Sequence, residues 1–395
     1  MSIKYFFLLA SILLSLLSFS HQTDWHPEAK LSFPEYCQHF NYSVEQHTIN
    51  TKDGYILTYF RIQSQSSMGF RSDLPIVLFQ HGFIDSSDTW VVNSGPISNA
   101  PAFYFADNGF DVWLANSRGN KHSRSHIVYN PDKDAQFWDF SWQEMAENDL
   151  PAGFEYITKY TNQQNITYIG HSQGTILMFA ALSEKIEAVR SRLKKFIALG
   201  PLVSLKNEKS PLFSLIASEK ISDLLFRFGV NEVLWDNWFT SSIAVLACRI
   251  ANFLCQGGLF ILSDMKPNLD NLDRMDVIMG HYPSGTSMRD YDHFVQMVQN
   301  DDFQKYDFRN ETENLRRYGQ KTPPVLNLSN VDAEVHLYVG RFDELADLQD
   351  FEILIGKLNG TKKISVTEIE GGHATFLWGK NMTFLEQILQ QIRDD

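Results

Sequence analysis

The segment around Ser172 constrains the fold of this chain more than any other part of its sequence. It contains the only Gly-x-Ser-x-Gly pattern, formed by Gly170, Ser172 and Gly174. Residues 165–169 before it predict a short buried strand, and residues 175–182 after it predict a helix. A tight turn between a strand and a helix projects a serine hydroxyl to where a general base can reach it. The pattern therefore predicts a catalytic serine, and an ordinary glycine-rich turn with an idle serine is the alternative.

Two further strand ends supply the partners that a catalytic serine needs. Asp343 follows a predicted strand over residues 334–339, and His373 follows a predicted strand over residues 364–369. His373 is the only histidine after Asp343, so the base has one candidate there. The order serine, acid, histidine is that of the catalytic triad in α/β-hydrolases. Ser172 is predicted to attack, His373 to transfer the proton and Asp343 to orient the imidazole.

A second aspartate competes for the orienting role. Asp347 follows shortly after Asp343, but we expect it in the next helix rather than at the end of the strand. Asp343 is therefore the predicted acid. A surface aspartate and a loop histidine are the alternatives, and they leave unexplained why both residues follow strands in the required order.

The donors that would stabilise a developing oxyanion are predicted at two backbone positions. Residues 74–80 predict an apolar strand, and the loop His81-Gly82-Phe83 follows it. An early loop of this kind supplies one backbone N–H in α/β-hydrolases, and the residue after the nucleophile supplies the other. The N–H groups of Phe83 and Gln173 are therefore the predicted oxyanion hole. We expect His81 to brace the loop rather than to act in catalysis.

Eight short segments, spread over nearly all of the mature chain, resemble a single family. They are residues 53–57, 80–83, 111–120, 140–146, 170–174, 285–287, 343–347 and 373–378. The family is that of the gastric and lysosomal acid lipases, which have the α/β-hydrolase fold. The resemblance implies a neutral-lipid ester hydrolase with Ser172, Asp343 and His373 as its triad. It also implies oxyanion donors at Phe83 and Gln173.

Two features depart from the pattern of that family. The acidic residue that is usual two positions after the triad histidine is Thr375 here. The cysteines of the family's cap domain lie farther apart than Cys248 and Cys255. This pair is nevertheless the candidate disulfide, which would close a small loop and leave Cys37 as a free thiol. Three unpaired cysteines are the alternative.

The predicted architecture is an α/β fold, with a mostly parallel central sheet flanked by helices and a mostly helical insertion. Strand–helix alternation stops after residue 200 and resumes near residue 331. The insertion between them is rich in leucine and aromatic residues, so we interpret it as a cap over the active site. The predicted divisions are a signal peptide (1–20), the first part of the core (21–200), the cap (201–330) and the second part of the core (331–395).

Two local signals predict individual elements of the core. Residues 44–62 predict a β-hairpin, because an Asp-Gly turn lies between two β-rich segments. Ser141 and Glu144 form a capping-box pattern that opens a helix. Pro151 is expected to interrupt that helix, because proline lacks a backbone N–H and its ring clashes with the preceding turn.

The N-terminus and the sequons predict a protein of the secretory pathway. An apolar run over residues 5–17 follows a lysine, and its length is typical of a signal peptide rather than a bilayer span. A retained signal anchor is the alternative. Asn165 adjoins the strand before Ser172, so burial is expected to hinder its glycosylation. The six Asn-x-Ser/Thr sequons begin at Asn41, Asn165, Asn310, Asn327, Asn359 and Asn381.

Charge excludes some partners and the motifs define the predicted reaction. The formal net charge of −13 argues against nucleic acid and against electrostatic binding to anionic membranes. Acyl transfer by a serine triad needs no metal and no cofactor. We predict a secreted or lysosomal lipase that acts on triacylglycerols at a lipid–water interface. The alternatives are a sterol-ester hydrolase or short-chain carboxylesterase on the same scaffold, and a non-catalytic hydrolase-fold protein retained for binding.

Overall fold

The computed structural model describes residues 26–64, 69–95, 100–210, 217–234 and 266–394. Its main sheet has eight strands in the order β1-β2-β4-β3-β5-β6-β9-β10. The first three in this order pair antiparallel, and all the other neighbours pair parallel. These strands are β1 (Tyr42–Asn50), β2 (Ile56–Ser64), β3 (Ile76–Gln80), β4 (Asp111–Leu114), β5 (Ile166–His171), β6 (Leu193–Leu199), β9 (Glu334–Gly340) and β10 (Lys363–Ile369).

Helices cover both faces of this sheet. Side chains alternate between the faces along each strand, so on β5 Tyr168 packs into one apolar core and Ile169 into the other. The predicted α/β fold with a mostly parallel sheet is therefore confirmed. Among the described residues, the α-helices of at least four residues are α1 (Phe33–His39), α2 (Pro101–Asp107), α3 (Leu150–Thr161), α4 (Gln173–Ser183), α5 (Glu187–Arg190), α6 (Glu219–Arg227), α7 (Met275–His281), α8 (Met288–Gln299), α9 (Glu311–Tyr318), α10 (Leu348–Lys357), α11 (Thr375–Trp378) and α12 (Phe384–Arg393).

The predicted hairpin is confirmed, whereas the predicted break at Pro151 is wrong. β1 and β2 pair antiparallel from Tyr42 opposite Ser64 to Asn50 opposite Ile56. The helix that begins after Ser141 passes through a π-helical segment and continues as α3, which contains Pro151 in its first turn. A π-helical turn is wider than an α-turn, so it accommodates the proline ring and its missing N–H.

The chain leaves the main sheet after Leu199 and returns to it at Glu334. The described residues between these points form helices α6 to α9, short 3₁₀ turns and a two-stranded antiparallel pair of β7 (Glu232–Val233) and β8 (Thr286–Ser287). Helix α6 is attached to α8 because Ser222 donates a hydrogen bond to Asp292. Both residues are buried.

The remaining sequence predictions concern the signal peptide, the cysteines and the sequons, and some of these residues lie outside the described ranges. The predicted signal peptide, Cys248 and Cys255 lie outside the described residues. Cys37 is buried and unpaired, and burial raises the pKa of its thiol well above the ordinary value. All six sequon asparagines are exposed, including Asn165, whose expected burial is wrong because it precedes the amino-terminal end of β5.

Within the described ranges, no helix is both long enough and apolar enough to cross a membrane.

Candidate active site

Ser172 lies on a sharp turn between β5 and α4. Its backbone has φ of 53° and ψ of −117°, a conformation that costs free energy for any residue except glycine. The Ser172 N–H donates to the Leu199 carbonyl at 3.0 Å, and its own carbonyl accepts from the Thr175 N–H at 2.8 Å. The turn is therefore held from both sides, which is how a strained backbone conformation persists in a folded protein.

The two glycines of the motif allow close backbone approach at this turn. A Cβ atom at Gly170 would lie 2.8 Å from the Gly174 carbonyl group. A Cβ atom at Gly174 would lie 2.5 Å from the Gln80 carbonyl oxygen. Both distances are shorter than real side chains tolerate, so glycine at each position lets β5, α4 and the end of β3 meet.

The structure brings Asp343 and His373 together beside this elbow. His373 Nδ1 donates to Asp343 Oδ2 at 2.8 Å, and both side chains are buried. The other oxygen, Asp343 Oδ1, accepts from the N–H groups of Leu345 and Ala346 at 2.9 and 2.7 Å. Because Nδ1 carries the donated proton, Nε2 is the imidazole nitrogen that can accept one.

Asp347 has other partners. It caps α10 by accepting a hydrogen bond from the Gln349 N–H at 2.9 Å, and it pairs with Lys209 Nζ at 2.6 Å. These contacts are those of a structural helix cap.

Neighbouring strands bring these residues to one edge of the sheet. Ser172 follows β5, Asp343 follows β9 and His373 follows β10, and β6 lies between β5 and β9. Gly200, at the end of β6, lies directly against the pair, because a Cβ there would be 3.2 Å from the His373 ring and 3.4 Å from Asp343 Oδ2. Carboxyl ends of parallel strands meet at this edge, where ligands bind in open α/β sheets.

The predicted oxyanion loop packs on the elbow. A Cβ at Gly82 would lie 3.2 Å from Ser172 Cβ. Gln173 is the first residue of α4, so its N–H has no carbonyl partner within the helix. His81 fixes the loop, since its Nδ1 donates to the Gly82 carbonyl at 2.8 Å and its Nε2 accepts from the Ser117 N–H at 3.0 Å. Burial lowers the pKa of His81 to about 4, so this brace is uncharged.

Two residues around the site were not identified from the sequence. His171 Nε2 donates to the His373 carbonyl at 3.0 Å, and burial lowers the pKa of His171 well below its ordinary value. Asp290, on α8, accepts hydrogen bonds from the Trp142 N–H at 2.7 Å and from Thr286 Oγ1 at 2.9 Å. Burial raises the pKa of Asp290 to about 7, and the side chain of Gln173 is among its partners. The only feature of the sequence that could have indicated either residue is the position of His171 inside the Gly-x-Ser-x-Gly motif.

The surroundings of the site are enclosed and apolar. Ser172 and His373 each expose only 6% of their surface. The Phe83 ring packs against Phe294 of α8 with 4.6 Å between ring centroids. It also joins an apolar cluster that includes residues of α8, of α6 and of β7. A few polar groups among apolar and aromatic side chains are typical of a site that binds a small molecule.

Known proteins are similar to this chain along most of its length. Residues 75–380 match the family model described as the alpha/beta hydrolase fold, and residues 33–94 match the partial alpha/beta-hydrolase lipase region. The gastric triacylglycerol lipase of Rattus norvegicus is 36% identical over 364 residues, which cover 89% of each chain. The chain belongs to the family of gastric and lysosomal acid lipases. It is therefore a lipase, a carboxylic ester hydrolase, and the resemblance seen in its motifs is confirmed.

Other relatives of this acid lipase support the same assignment. The lysosomal acid lipase/cholesteryl ester hydrolase of Macaca fascicularis is 35% identical over 363 residues, covering 90% of this chain and 89% of that protein. A solved structure from Sulfolobus solfataricus superposes with a TM-score of 0.59 at 14% identity, covering 89% of this chain and 95% of the other. Because the sequence identity to the Sulfolobus solfataricus protein is low, this structural similarity shows the fold alone.

Proposed function

We propose that this acid lipase hydrolyses neutral-lipid esters, triacylglycerols in particular, with Ser172, Asp343 and His373 as its catalytic triad. The observation that carries the proposal is the 2.8 Å hydrogen bond from His373 Nδ1 to Asp343 Oδ2 beside the strained turn of Ser172. It fixes the imidazole tautomer that a general base beside a serine requires.

The reaction has two acyl-transfer steps. Ser172 Oγ attacks the ester carbonyl while His373 Nε2 takes its proton, and a tetrahedral oxyanion forms. The Phe83 and Gln173 N–H groups stabilise that oxyanion. His373 then protonates the leaving alcohol, which leaves an acyl group on Ser172. A water molecule, deprotonated by His373, attacks this ester, and the fatty acid departs as Ser172 recovers its proton.

The substrate class follows from the relatives and from the cover over the site. The relatives' names include triacylglycerol lipase and cholesteryl ester hydrolase, and the apolar cluster around Phe83 suits a long acyl chain. A sterol-ester hydrolase is the second candidate, because one relative carries that activity in its name. A preference for short-chain esters is the remaining alternative.

A substrate panel tests this function. Initial rates are measured on emulsified long-chain triacylglycerol, on cholesteryl ester and on a soluble short-chain ester, at about pH 5 and about pH 7.5. We expect the highest rate on triacylglycerol. A higher rate on cholesteryl ester would favour the sterol-ester hydrolase, and hydrolysis of the soluble ester alone would favour the esterase. No hydrolysis of any ester would contradict the proposal.

The proposed location is the secretory pathway, with the protein either secreted or lysosomal. The apolar N-terminal run and the gastric and lysosomal relatives support this location. The exposure of all six sequon asparagines leaves each of them accessible to glycosylation. Expression in a eukaryotic secretory host, followed by enzymatic removal of N-glycans, should reduce the apparent mass. An unglycosylated product retained in the cytosol would contradict this location.

A further inference from the structure

Thr375 links the loop of the catalytic histidine to a distant carboxyl group. Its side chain is buried, and it stands at the position where the chain departs from the acid lipase pattern. Thr375 Oγ1 accepts a hydrogen bond from the Gly372 N–H at 2.9 Å and donates one to Asp270 Oδ1 at 2.7 Å. The hydroxyl group thus joins two segments that are 105 residues apart in sequence.

The Thr375 side chain is tightly enclosed. A Cβ at Gly371 would lie 2.8 Å from Thr375 Cγ2, and a Cβ at Gly379 would lie 2.9 Å from the same methyl group. The methyl group therefore fills the space beside both glycines, which holds the side chain in one rotamer. Since the methyl group is fixed, the hydroxyl oxygen has a fixed direction towards Gly372 and Asp270.

The position of Asp270 is fixed by hydrogen bonds of the residues on either side of it. It is buried, and the segment around it is attached to the chain just after the histidine loop. The Asn271 N–H donates to the Trp378 carbonyl at 2.7 Å, and the Lys380 N–H donates to the Leu269 carbonyl at 2.9 Å. These backbone hydrogen bonds place the carboxyl group of Asp270 beside Thr375.

The backbone before and after His373 is consequently held by buried side chains at two points. The Gly372 N–H, on the preceding residue, is held by Thr375, and the His373 carbonyl accepts from His171 Nε2 at 3.0 Å. With the backbone held at both points, the imidazole has little freedom to leave Asp343. Small displacements matter here, because a misplacement of about 1 Å can lower a catalytic rate about 100-fold.

We propose that Asp270 is a positioning residue, which acts through the Thr375 hydroxyl group to hold the Gly371–Gly372 peptide, and with it the backbone that leads into His373, in the orientation that directs the imidazole to Asp343 and Ser172. This inference rests on the proposed role of His373. It assigns to a segment within the predicted cap a part in the active site that the motifs around Ser172 do not include.

Removal of the hydroxyl group is the first test. Thr375→Val keeps the shape of the side chain and should lower kcat by about 10- to 100-fold with little change in KM, because the imidazole is less well directed. Thr375→Ser keeps the hydroxyl group and should retain most of the rate. Thr383→Val, at an exposed threonine nearby, is the matched control and should behave like the wild type. Wild-type kcat in Thr375→Val would overturn the proposal.

A reversal of the hydrogen-bond donor and acceptor is the second test, and it applies even where Thr375→Val folds poorly. Thr375→Asp alone puts two buried carboxyl groups in contact, so it should lose both stability and activity. Adding Asp270→Asn supplies an amide N–H to the new carboxylate and should restore both in large part. Asp273→Asn, at an exposed aspartate of the same segment, should restore nothing. Equal losses in Thr375→Asp with and without Asp270→Asn would also overturn the proposal.

A spectroscopic readout separates this inference from the proposed function. The downfield proton resonance of His373 Nδ1–H reports the hydrogen bond to Asp343 without any substrate. It should weaken or shift in Thr375→Val and return in Thr375→Ser. An unchanged resonance in Thr375→Val would contradict the positioning role. A wild-type protein that shows the resonance but hydrolyses no ester would instead contradict the proposed function.

Discussion

Ser172 combines a reactive position with an unfavourable backbone conformation. Its φ of 53° and its burial beside His373 belong to a residue that the surrounding hydrogen bonds force into place. Ser172→Ala should therefore lower kcat by about 10⁴-fold or more, with the residual rate coming from the oxyanion hole and substrate binding. Ester hydrolysis and stoichiometric labelling by an organophosphonate measure the effect. Normal activity of the alanine variant would end the triad assignment.

The same backbone conformation has a measurable cost in stability. Glycine adopts a positive φ without a Cβ clash, whereas alanine keeps the strain. Ser172→Gly should therefore have a free energy of unfolding about 1 kcal/mol higher than Ser172→Ala, after allowance for the greater entropy of glycine in the unfolded chain. Denaturant unfolding of the two variants under identical conditions provides the comparison. Equal stabilities would mean that the turn is not strained.

The two aspartates after β9 should differ sharply in their effects. Asp343→Asn should lower kcat by about 10⁴-fold, because the amide favours the wrong imidazole tautomer of His373. Asp347→Asn should be mild, because asparagine also caps helices well and only the ion pair with Lys209 is lost. Rates and melting temperatures of both variants test this ranking. The reverse ranking would mean that Asp347 is the acid.

At the scale of an element, the 3₁₀ turn Ser87–Trp90 and the residue Asp85 just before it carry two buried aspartates with opposite titration behaviour. Burial raises the pKa of Asp85 to about 8. Burial acts on Asp88 in the same direction, but Lys121 and His122 overcome it and hold the pKa of Asp88 well below its ordinary value. Asp88 accepts from His122 Nε2 at 2.7 Å and from Lys121 Nζ at 2.9 Å.

These opposite pKa shifts predict opposite effects of neutralisation. An aspartate in the unfolded chain ionises near pH 3.9, so the raised pKa of Asp85 destabilises the folded state increasingly as pH rises from about 4 to about 8. Asp85→Asn should therefore raise the free energy of unfolding more at about pH 7.5 than at about pH 5. Asp88→Asn should lower it at about pH 7.5, and the loss should shrink as pH falls below about 4. Denaturant unfolding over this pH range tests both directions, and parallel changes in the two variants would contradict them.

Elements with strong local signals were predictable from the sequence. β3, β5 and β9 are buried on both faces, so they appear as apolar or β-rich segments, and an Asp-Gly turn marks the hairpin. The π-helical segment Met145–Asp149, which packs against α4, was not predictable, because no pattern in its own residues indicates a π-helix. Pro151 therefore gave a misleading signal.

The same distinction applies to the candidate site. Ser172, Asp343 and His373 could be proposed because each follows a strand, which is a local property. The contacts of Thr375 with Asp270, and of Asp290 with Trp142, join segments 105 and 148 residues apart. No periodicity or spacing in the sequence indicates such pairs, because they depend on how the folded segments meet.

At the scale of the whole molecule, the apolar cover over the site predicts how the enzyme responds to its substrate. A long acyl chain needs an apolar enclosure, and such a surface is expected to stay covered in water and to open at a lipid surface. Activity on long-chain triacylglycerol should therefore rise steeply once the substrate forms an interface. Rates measured across the solubility limit test this, and a smooth, saturating dependence through that limit would contradict it.

Limited proteolysis tests the contribution of residues 201–330 to this behaviour. Nicking within this segment should reduce long-chain hydrolysis more than short-chain hydrolysis, because a small soluble ester does not depend on the enclosure. The uncut protein, treated with inactivated protease, is the control. Equal losses on both substrates would indicate damage to the triad rather than to the cover.

The attachment of the Asp270 segment to the histidine loop limits how the cap can be exchanged between related enzymes. Leu269 and Asn271 are hydrogen-bonded to the backbone at Lys380 and Trp378, so this segment is attached to the chain just after His373 although it lies within the predicted cap. A chimaera that takes residues 201–330 from another lipase should therefore keep the host residues 269–271. A graft that also replaces these three residues would carry a foreign partner for Thr375, and any change in substrate preference would then be confounded with a loss of turnover.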